Sequence, residues 1–156
     1  MSVTAARGFS AAGVAAGIKA DGALDLALVA NGGPATTAAG VFTRNQVKAA
    51  PVLWSAQVLT GHRLRAVVLN SGGANACTGP GGFQDTHVTA ERVAAALGCG
   101  AAEVAVCSTG LIGERLPRET LLAGVDKAAG ALAATPEAGL AAATAVLTTD
   151  TVPKQA

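Results

Sequence analysis

A strand-like run that opens into a glycine-rich loop is the feature that most restricts how this chain can fold. Residues 65–69 read RAVVL, and residues 70–82 follow directly with NSGGANACTGPGG. The aliphatic run favours a buried β-strand, whereas a segment with this many glycines is unsuited to any regular element. Its backbone amides can line a pocket, or its glycines can serve only tight turns with positive φ angles. Neither of the nucleotide-binding signatures, GxxxxGK followed by Ser or Thr and GxGxxG, fits this loop.

A second strand leads into a short turn that carries hydroxyl groups and glycines. Residues 103–107 read EVAVC, and residues 108–113 read STGLIG. At the end of a strand, a hydroxyl side chain followed by glycine can direct the hydroxyl and a backbone N–H at one point. Preorganised donors of this kind form the oxyanion hole of acyl-transfer enzymes. The alternative is an ordinary turn in which the threonine hydroxyl bonds to its own backbone.

A third polar segment, residues 148–154 with the sequence TTDTVPK, follows an alanine-rich stretch. It combines hydroxyl groups, a carboxylate and a lysine over a short distance. Such a set can recognise an amino acid zwitterion, with Lys154 facing the carboxylate and Asp150 facing the ammonium group. The alternative is a solvated polar segment after the end of a helix.

The remaining patterns predict a mixed α/β (α+β) architecture of layered sheets and helices. Short buried strands are predicted at residues 24–31, 39–43 and 47–54. Helices are predicted from Asp85 or Thr86 to about Leu97, from Pro117 to about Ala133, and from Pro136 to about Leu147. No linker interrupts the sequence, so residues 1–156 are predicted to form a single domain or one portion of it.

The composition excludes several classes of protein. Hydrophobic residues make up 51% of the chain and aromatic residues 3%, so the core must be built from Ala, Val and Leu. The 11 basic and 10 acidic residues are scattered and give a net charge of +1, so no basic stripe supports nucleic acid binding. No apolar run approaches the roughly 18 residues that span a bilayer, and no signal peptide is apparent. These observations predict a soluble, cytoplasmic protein with no membrane association.

The residues that commonly carry metal or nucleophilic chemistry form no recognisable set. Cys77, Cys99 and Cys107 lack CxxC spacing, and their odd number argues for free thiols rather than a disulfide framework. His62 and His87 are too few to complete a zinc site and are expected to have ordinary packing or surface roles. The GxSxG and HExxH motifs are absent.

Taken together and in this order, the motifs resemble those of one family, the bifunctional ornithine acetyltransferase and glutamate N-acetyltransferase of arginine biosynthesis. Each motif is weak by itself, but the ordered set is specific and covers essentially the whole chain. The matching segments are residues 8–13, 16–19, 39–45, 49–52, 70–79, 106–117 and 148–154.

The resemblance implies a mechanism and a fold. Members of this family cleave themselves at an Ala-Thr bond, and the new N-terminal threonine is the nucleophile. It takes the acetyl group from N2-acetylornithine and passes it to glutamate in a ping-pong reaction, with its own α-amine serving as the base. The implied fold is a layered α/β/β/α sandwich, similar to that of self-cleaving N-terminal-nucleophile-type aminopeptidases.

The resemblance also implies roles for residues and partners. Thr109 and Gly110 match the oxyanion-hole pair, and Thr148 matches a substrate-binding threonine; the roles of Asn70, Asn75 and Lys154 stay open. No metal or organic cofactor is expected, although acetyl-CoA is a further candidate acetyl donor. The expected partner is the β chain of the same precursor, in an α2β2 assembly.

One departure from the family pattern concerns the end of the sequence. The family has a Lys-Gly-x-Gly-Met stretch beyond the TTD motif and then the Ala-Thr cleavage site, whereas this sequence ends at Ala156 without either. We therefore expect residues 1–156 to be the N-terminal part of the α chain, without the nucleophile. Two alternatives are a related self-cleaving aminopeptidase-type hydrolase and a non-catalytic amino-acid-binding module.

The resemblance generates a direct test. Purified residues 1–156 should not transfer acetyl groups from N2-acetylornithine to glutamate, because the threonine nucleophile is expected outside this segment. The measurement is a glutamate acetylation assay, with the intact protein as the positive control. Turnover by the pure segment would contradict its interpretation as an incomplete subunit.

Overall fold

A four-stranded mixed sheet organises the chain. The computed structural model describes residues 2–155, and its strands are β1 (Phe9–Val14), β2 (Leu26–Asn31), β3 (Ala66–Asn70) and β4 (Val104–Ser108). They lie side by side in chain order. The pairs β1–β2 and β2–β3 are antiparallel, whereas β3 and β4 are parallel. Because β3 and β4 are parallel, their carboxyl ends, with the glycine-rich loop and the STGLIG turn, meet at one edge of the sheet.

Four α-helices cover the sheet unequally. They are α1 (Ala50–Val58), α2 (Gly79–Leu97), α3 (Arg118–Gly130) and α4 (Pro136–Ala145), and short 3-10 turns occupy Val3–Ala5, Leu59–Gly61 and Ala101–Glu103. Helices α1, α2 and α3 pack on one face, where alternate strand residues such as Leu28, Val68 and Val104 form the larger core. Helix α4 packs on the opposite face, against β1 and β2. The core is built mainly from Ala, Val and Leu, as the composition predicts.

The packing of α4 depends on a residue with no side chain. A Cβ atom at Gly13 in β1 would lie 2.1 Å from the carbonyl oxygen of Ala141, so only glycine allows the helix to sit this close to the strand. The small side chains of Ala11, Ala27 and Ala142 fill the remaining space and are all buried. Backbone-to-backbone contact thus replaces the bulky side chains that this chain lacks.

Helix α1 covers the outer edge of β4. The Trp54 Nε1–H donates to the Val104 carbonyl at 2.9 Å. The Ser55 hydroxyl donates to the Val106 carbonyl at 2.7 Å and accepts from the Val106 N–H at 2.9 Å. These side chains satisfy backbone groups that an edge strand otherwise exposes, which removes a site for unwanted strand pairing.

The predicted mixed α/β class is confirmed, but two predicted strands are wrong. Residues 39–43 form no strand, and their apolar side chains lack a covering layer, since Val41 is 99% exposed. Residues 47–54 run into α1 instead of forming a strand. Pro51 accounts for the difference because it lies in the first helical turn and has no N–H to give to a sheet.

Other boundaries also differ from the sequence prediction. The patterns do not reveal β1, because FSAAGV consists mostly of small residues with weak strand preference. Helix α2 begins at Gly79 rather than at Asp85 or Thr86, with Pro80 in its first turn. The strands predicted at residues 24–31, 65–69 and 103–107 and the last two helices are present with shifts of a few residues.

Among the described residues, one part of the sheet has no helix against it. Helix α4 covers β1 and β2, whereas Val67 and Leu69 on the same face of β3 are only half-buried and Cys107 on β4 is exposed. Only one sheet is formed by residues 2–155. Within the same residues, no helix is both long enough and apolar enough to cross a membrane.

The open sheet face predicts self-association of residues 1–156 at high concentration. Exposed apolar surface of this kind favours contact with other molecules. Sedimentation velocity should therefore show concentration-dependent association, and Val67→Thr, which keeps a strand-compatible shape, should reduce it. A compact monomer at high concentration would count against this expectation.

Candidate active site

A cavity of about 480 Å³ lies at the carboxyl ends of β3 and β4. Its walls include all three residues that the sequence predicted for the site, together with neighbouring glycine and lysine residues. The lining residues are Lys19, Gly72, Thr109, Gly110, Leu111, Thr148 and Thr149. Residues from four separate segments thus converge on one space.

The turn that carries Thr109 is held by Asn70 at the end of β3. The Thr109 N–H donates to the Asn70 carbonyl at 3.0 Å. The Asn70 side chain accepts from the Ser108 hydroxyl at 2.6 Å and donates to the Gly73 carbonyl at 3.0 Å. Since Asn70 is buried, this network fixes the two loops against each other and leaves the Thr109 side chain exposed at the cavity.

Gly110 occupies a position that only glycine can fill. Its φ angle is +132°, and a Cβ atom there would lie 2.5 Å from the carbonyl carbon of Gly72. The Gly110 N–H has no backbone acceptor within residues 2–155. The turn can therefore offer a hydroxyl and an N–H to a bound molecule, which is the chemistry of an oxyanion hole.

The glycine-rich loop has its own internal support. Asn75 is buried with a φ angle of +49°, and its side-chain amide donates to the Gly82 carbonyl and the Thr86 hydroxyl, both at 2.9 Å. The Thr78 hydroxyl donates to the Asn75 side-chain oxygen at 2.7 Å. Asn75 therefore shapes the loop and the start of α2, and it does not line the cavity.

Thr148 and Lys154 lie apart from each other. Thr148 is exposed at the cavity, three residues after Ala145, the last residue of α4. Lys154 lines a different cavity of about 420 Å³ beside α4, and its Nζ donates to Asp150 at 2.7 Å. The pairing of Lys154 with Asp150 differs from the predicted arrangement, in which the two residues face opposite ends of a zwitterion.

An ion cluster anchors the chain that follows the STGLIG turn. Asp85 on α2 is buried, and its carboxylate accepts from Arg115 at 2.7 and 2.8 Å and from the Arg118 Nε at 2.6 Å. Burial alone would raise the pKa of Asp85, but the two guanidinium groups outweigh burial and hold the pKa below its ordinary value. The cluster ties α2 to the start of α3 and so holds the chain that follows the STGLIG turn.

The cysteine and histidine residues contribute no further site. The three cysteines are free, as predicted. His87 packs against Trp54 with a ring separation of 4.8 Å, which is a packing role. Within residues 2–155, no group of three or more His, Cys, Asp or Glu side chains is arranged to hold a metal ion.

Lys19 is the charged residue among the lining residues that the sequence did not assign to the site. The signal was present, since a single lysine stands in a stretch of Ala, Gly and Ile that belongs to the matching motifs. Its shorter hydrogen bond is made with Leu147, 128 positions along the chain, so local patterns could not show what it does.

The fold is that of an α/β protein, and its candidate site lies at the carboxyl ends of two neighbouring parallel strands, β3 and β4. The sequence profile of the ArgJ family matches residues 10–156. The chain therefore belongs to the ArgJ family.

Individual relatives agree with this assignment. The arginine biosynthesis bifunctional protein ArgJ of Mycobacterium tuberculosis (strain ATCC 25618 / H37Rv) is 69% identical over 158 residues, which cover 98% of this chain and 39% of the relative. The corresponding protein of Streptomyces coelicolor is 67% identical over 154 residues, which cover 99% of this chain and 40% of the relative. The chain thus spans about two fifths of the length of these curated relatives.

Two crystal structures have the same fold. Ornithine acetyltransferase from Mycobacterium tuberculosis, complexed with ornithine, matches with a TM-score of 0.96 and 68% identity over 97% of this chain and 81% of that chain. The arginine biosynthesis bifunctional protein ArgJ from Bacillus halodurans matches with a TM-score of 0.92 and 38% identity, over 97% of this chain and 78% of that chain.

The ion cluster predicts how stability depends on pH. Because the folded-state pKa of Asp85 is lowered, its contribution is present above the unfolded pKa of about 4 and is lost as the pH falls through the folded value. Asp85→Asn should therefore lower the free energy of unfolding of the intact protein by about 2 kcal/mol near pH 7. The difference from wild type should shrink below about pH 4.

Thermal unfolding between pH 3 and pH 7 checks this expectation. Asp126→Asn is the matched control, since Asp126 pairs with Arg92 at an exposed position and should matter little. A loss for Asp85→Asn no larger than for the control would show that the cluster does not stabilise the fold.

Proposed function

We propose that this chain provides the oxyanion hole and part of the substrate site of an enzyme that transfers an acetyl group from N2-acetylornithine to glutamate. The observation that carries the proposal is the convergence of Thr109, Gly110 and Thr148 on one cavity. Membership of the ArgJ family and the similarity to an ornithine-bound acetyltransferase support it.

The proposed chemistry begins with attack of a nucleophile on the acetyl carbonyl carbon. The attack converts the carbonyl oxygen into an oxyanion, and the Thr109 hydroxyl and Gly110 N–H donate hydrogen bonds to it. Ornithine leaves, the acetyl group stays on the nucleophile, and glutamate then takes it through a second oxyanion. The nucleophile is an N-terminal threonine made by self-cleavage in a part of the protein outside this sequence.

Thr148 is proposed to bind substrate rather than to stabilise the transition state. Thr148 lines the same cavity, but it stands on the segment after α4 and not on the turn that carries Thr109. Binding groups that act equally on substrate and transition state affect KM, whereas oxyanion donors affect kcat.

Other parts of the proposal concern the whole protein. Acetyl-CoA serves as a second acetyl donor, no metal or organic cofactor takes part, and the partner is a β chain from the same precursor in an α2β2 assembly. The enzyme works in the cytoplasm. A hydrolase on the same fold would instead release acetate to water, so the acceptor distinguishes the two functions.

The decisive variant is Thr109→Ala in the intact, processed protein. Loss of one oxyanion donor should lower kcat by roughly 100- to 1000-fold with little change in KM, because the donor acts mainly on the developing charge. Thr109→Ser keeps the hydroxyl and should retain much more activity. Steady-state kinetics with N2-acetylornithine and glutamate measure both effects.

Thr60→Ala provides the control. Thr60 is exposed and its hydroxyl bonds to the Gln57 carbonyl, far from the cavity, so its loss should leave kcat unchanged. If Thr109→Ala turns over within a few-fold of wild type, its hydroxyl is not an oxyanion donor and the ordinary-turn interpretation stands.

A further inference from the structure

Lys19 lines the cavity and also contacts the segment that follows α4. Its Nζ donates to the Leu147 carbonyl at 2.8 Å and to the Leu24 carbonyl at 3.3 Å. Helix α4 ends at Ala145, and Leu147 lies two residues further on, between the helix and Thr148. A lysine ammonium group near the C-terminal end of a helix can bind backbone carbonyls there and is also favoured by the helix dipole. Leu147 directly precedes Thr148, so this contact acts on the backbone that presents Thr148.

The position of Lys19 is itself fixed by Asp25. Asp25 is completely buried, and its carboxylate accepts the backbone N–H groups of residues 16–19 at 2.6 to 3.1 Å. A buried carboxylate that lost these donors would be strongly disfavoured, so the loop that carries Lys19 has little freedom to move. The backbone that carries the Lys19 side chain is therefore held rigidly by Asp25.

The same region also holds the glycine-rich loop. The Asp25 carbonyl accepts the Ser71 N–H at 2.9 Å, and the Ser71 hydroxyl donates to the Ala145 carbonyl at 2.7 Å. Ser71 thus binds the carbonyl of the last residue of α4, and Lys19 binds a carbonyl two residues further along the chain. Of these two residues, Lys19 is the one that lines the cavity and contacts the residue next to Thr148.

We infer that Lys19 is a positioning residue for Thr148: its hydrogen bond to the Leu147 carbonyl holds the Thr148 hydroxyl in the cavity with Thr109 and Gly110. This inference rests on the proposed function, because it takes Thr148 to be the substrate-binding threonine. Lys19 acts through Thr148 and does not itself stabilise the oxyanion.

Kinetics of Lys19→Met in the intact protein test this role. The substitution keeps the length of the side chain and removes the ammonium group, so KM for N2-acetylornithine should rise about tenfold while kcat changes only a few-fold. Because Lys19 acts through Thr148, Lys19→Met should add almost nothing to the effect of Thr148→Val in the double variant. Effects that multiply in the double variant would overturn the inference and indicate that Lys19 contacts the substrate itself.

Lys127→Met is the matched control. Lys127 also donates to a backbone carbonyl, that of Ala15 at 3.1 Å, beside the same loop but away from α4. It should leave KM near the wild-type value. An equal rise of KM in both variants would mean that general loosening of the loop, and not the contact with Leu147, is responsible.

Hydrogen exchange gives a measurement that does not depend on the reaction. Backbone amides of residues 146–150 should exchange faster in Lys19→Met than in wild type or Lys127→Met, and unchanged exchange would overturn the inference. If the wild-type protein transfers no acetyl group, the proposed function fails, and the exchange result still decides whether Lys19 holds this segment. Should Lys19→Met fail to fold, Lys19→Leu, which also removes the donor, replaces it in both measurements.

Discussion

The contact between the backbones of Gly72 and Gly110 is the constraint on which the site depends. The loop after β3 and the turn after β4 lie so close together that a Cβ atom added at Gly110 would be 2.5 Å from the carbonyl carbon of Gly72. Gly72 is confined in turn by Ile18, which lies 2.9 Å from where its own Cβ would be. Three segments from distant parts of the sequence are thereby pressed together, and the donors of the cavity take their positions from this packing.

Close approach of small residues recurs throughout the molecule. Gly13 contacts the backbone of α4. Gly124 on α3 packs against Ala16, and a Cβ atom added at Gly124 would lie 2.4 Å from the Ala16 Cβ. With aromatic residues at 3% of the chain, stability must come from many short contacts between backbones and small side chains. Such packing tolerates little change, because an interior at this density has no room for even one extra carbon atom.

The sequence predicted most of the buried sheet, and it named three residues that the fold brings to one cavity. The strands near residues 24–31, 65–69 and 103–107 were evident from their aliphatic runs, and Thr109, Gly110 and Thr148 do lie around one cavity. The errors have physical causes. Pro51 turned a strand-like run into a helix, and small residues in β1 gave too weak a pattern to be noticed.

The contacts made by Lys19 lay beyond what sequence patterns can show. The bond from Lys19 to the Leu147 carbonyl joins residues 128 positions apart, and the bond from Arg115 to Asp85 spans 30 positions. Local periodicity carries no information about partners at such separations. Only the fold brings these groups within hydrogen-bond distance. The roles of the charged residues were therefore harder to predict than those of the glycines in the loops.

The two edge strands of the sheet, β1 and β4, limit where further strands can be added. Trp54 and Ser55 occupy the backbone groups on the outer side of β4, and Ala11 in β1 exchanges two hydrogen bonds of 3.0 Å with Ala133. A new strand therefore cannot simply extend the sheet at β4, and at β1 it would first have to displace residue 133. The open side of β3 and β4 instead offers a surface on which additional β-structure can stack face to face, and such a joint is formed by side-chain packing rather than by a continuous backbone ladder. The partly covered edges of the sheet thus favour a layered arrangement over a single wider sheet.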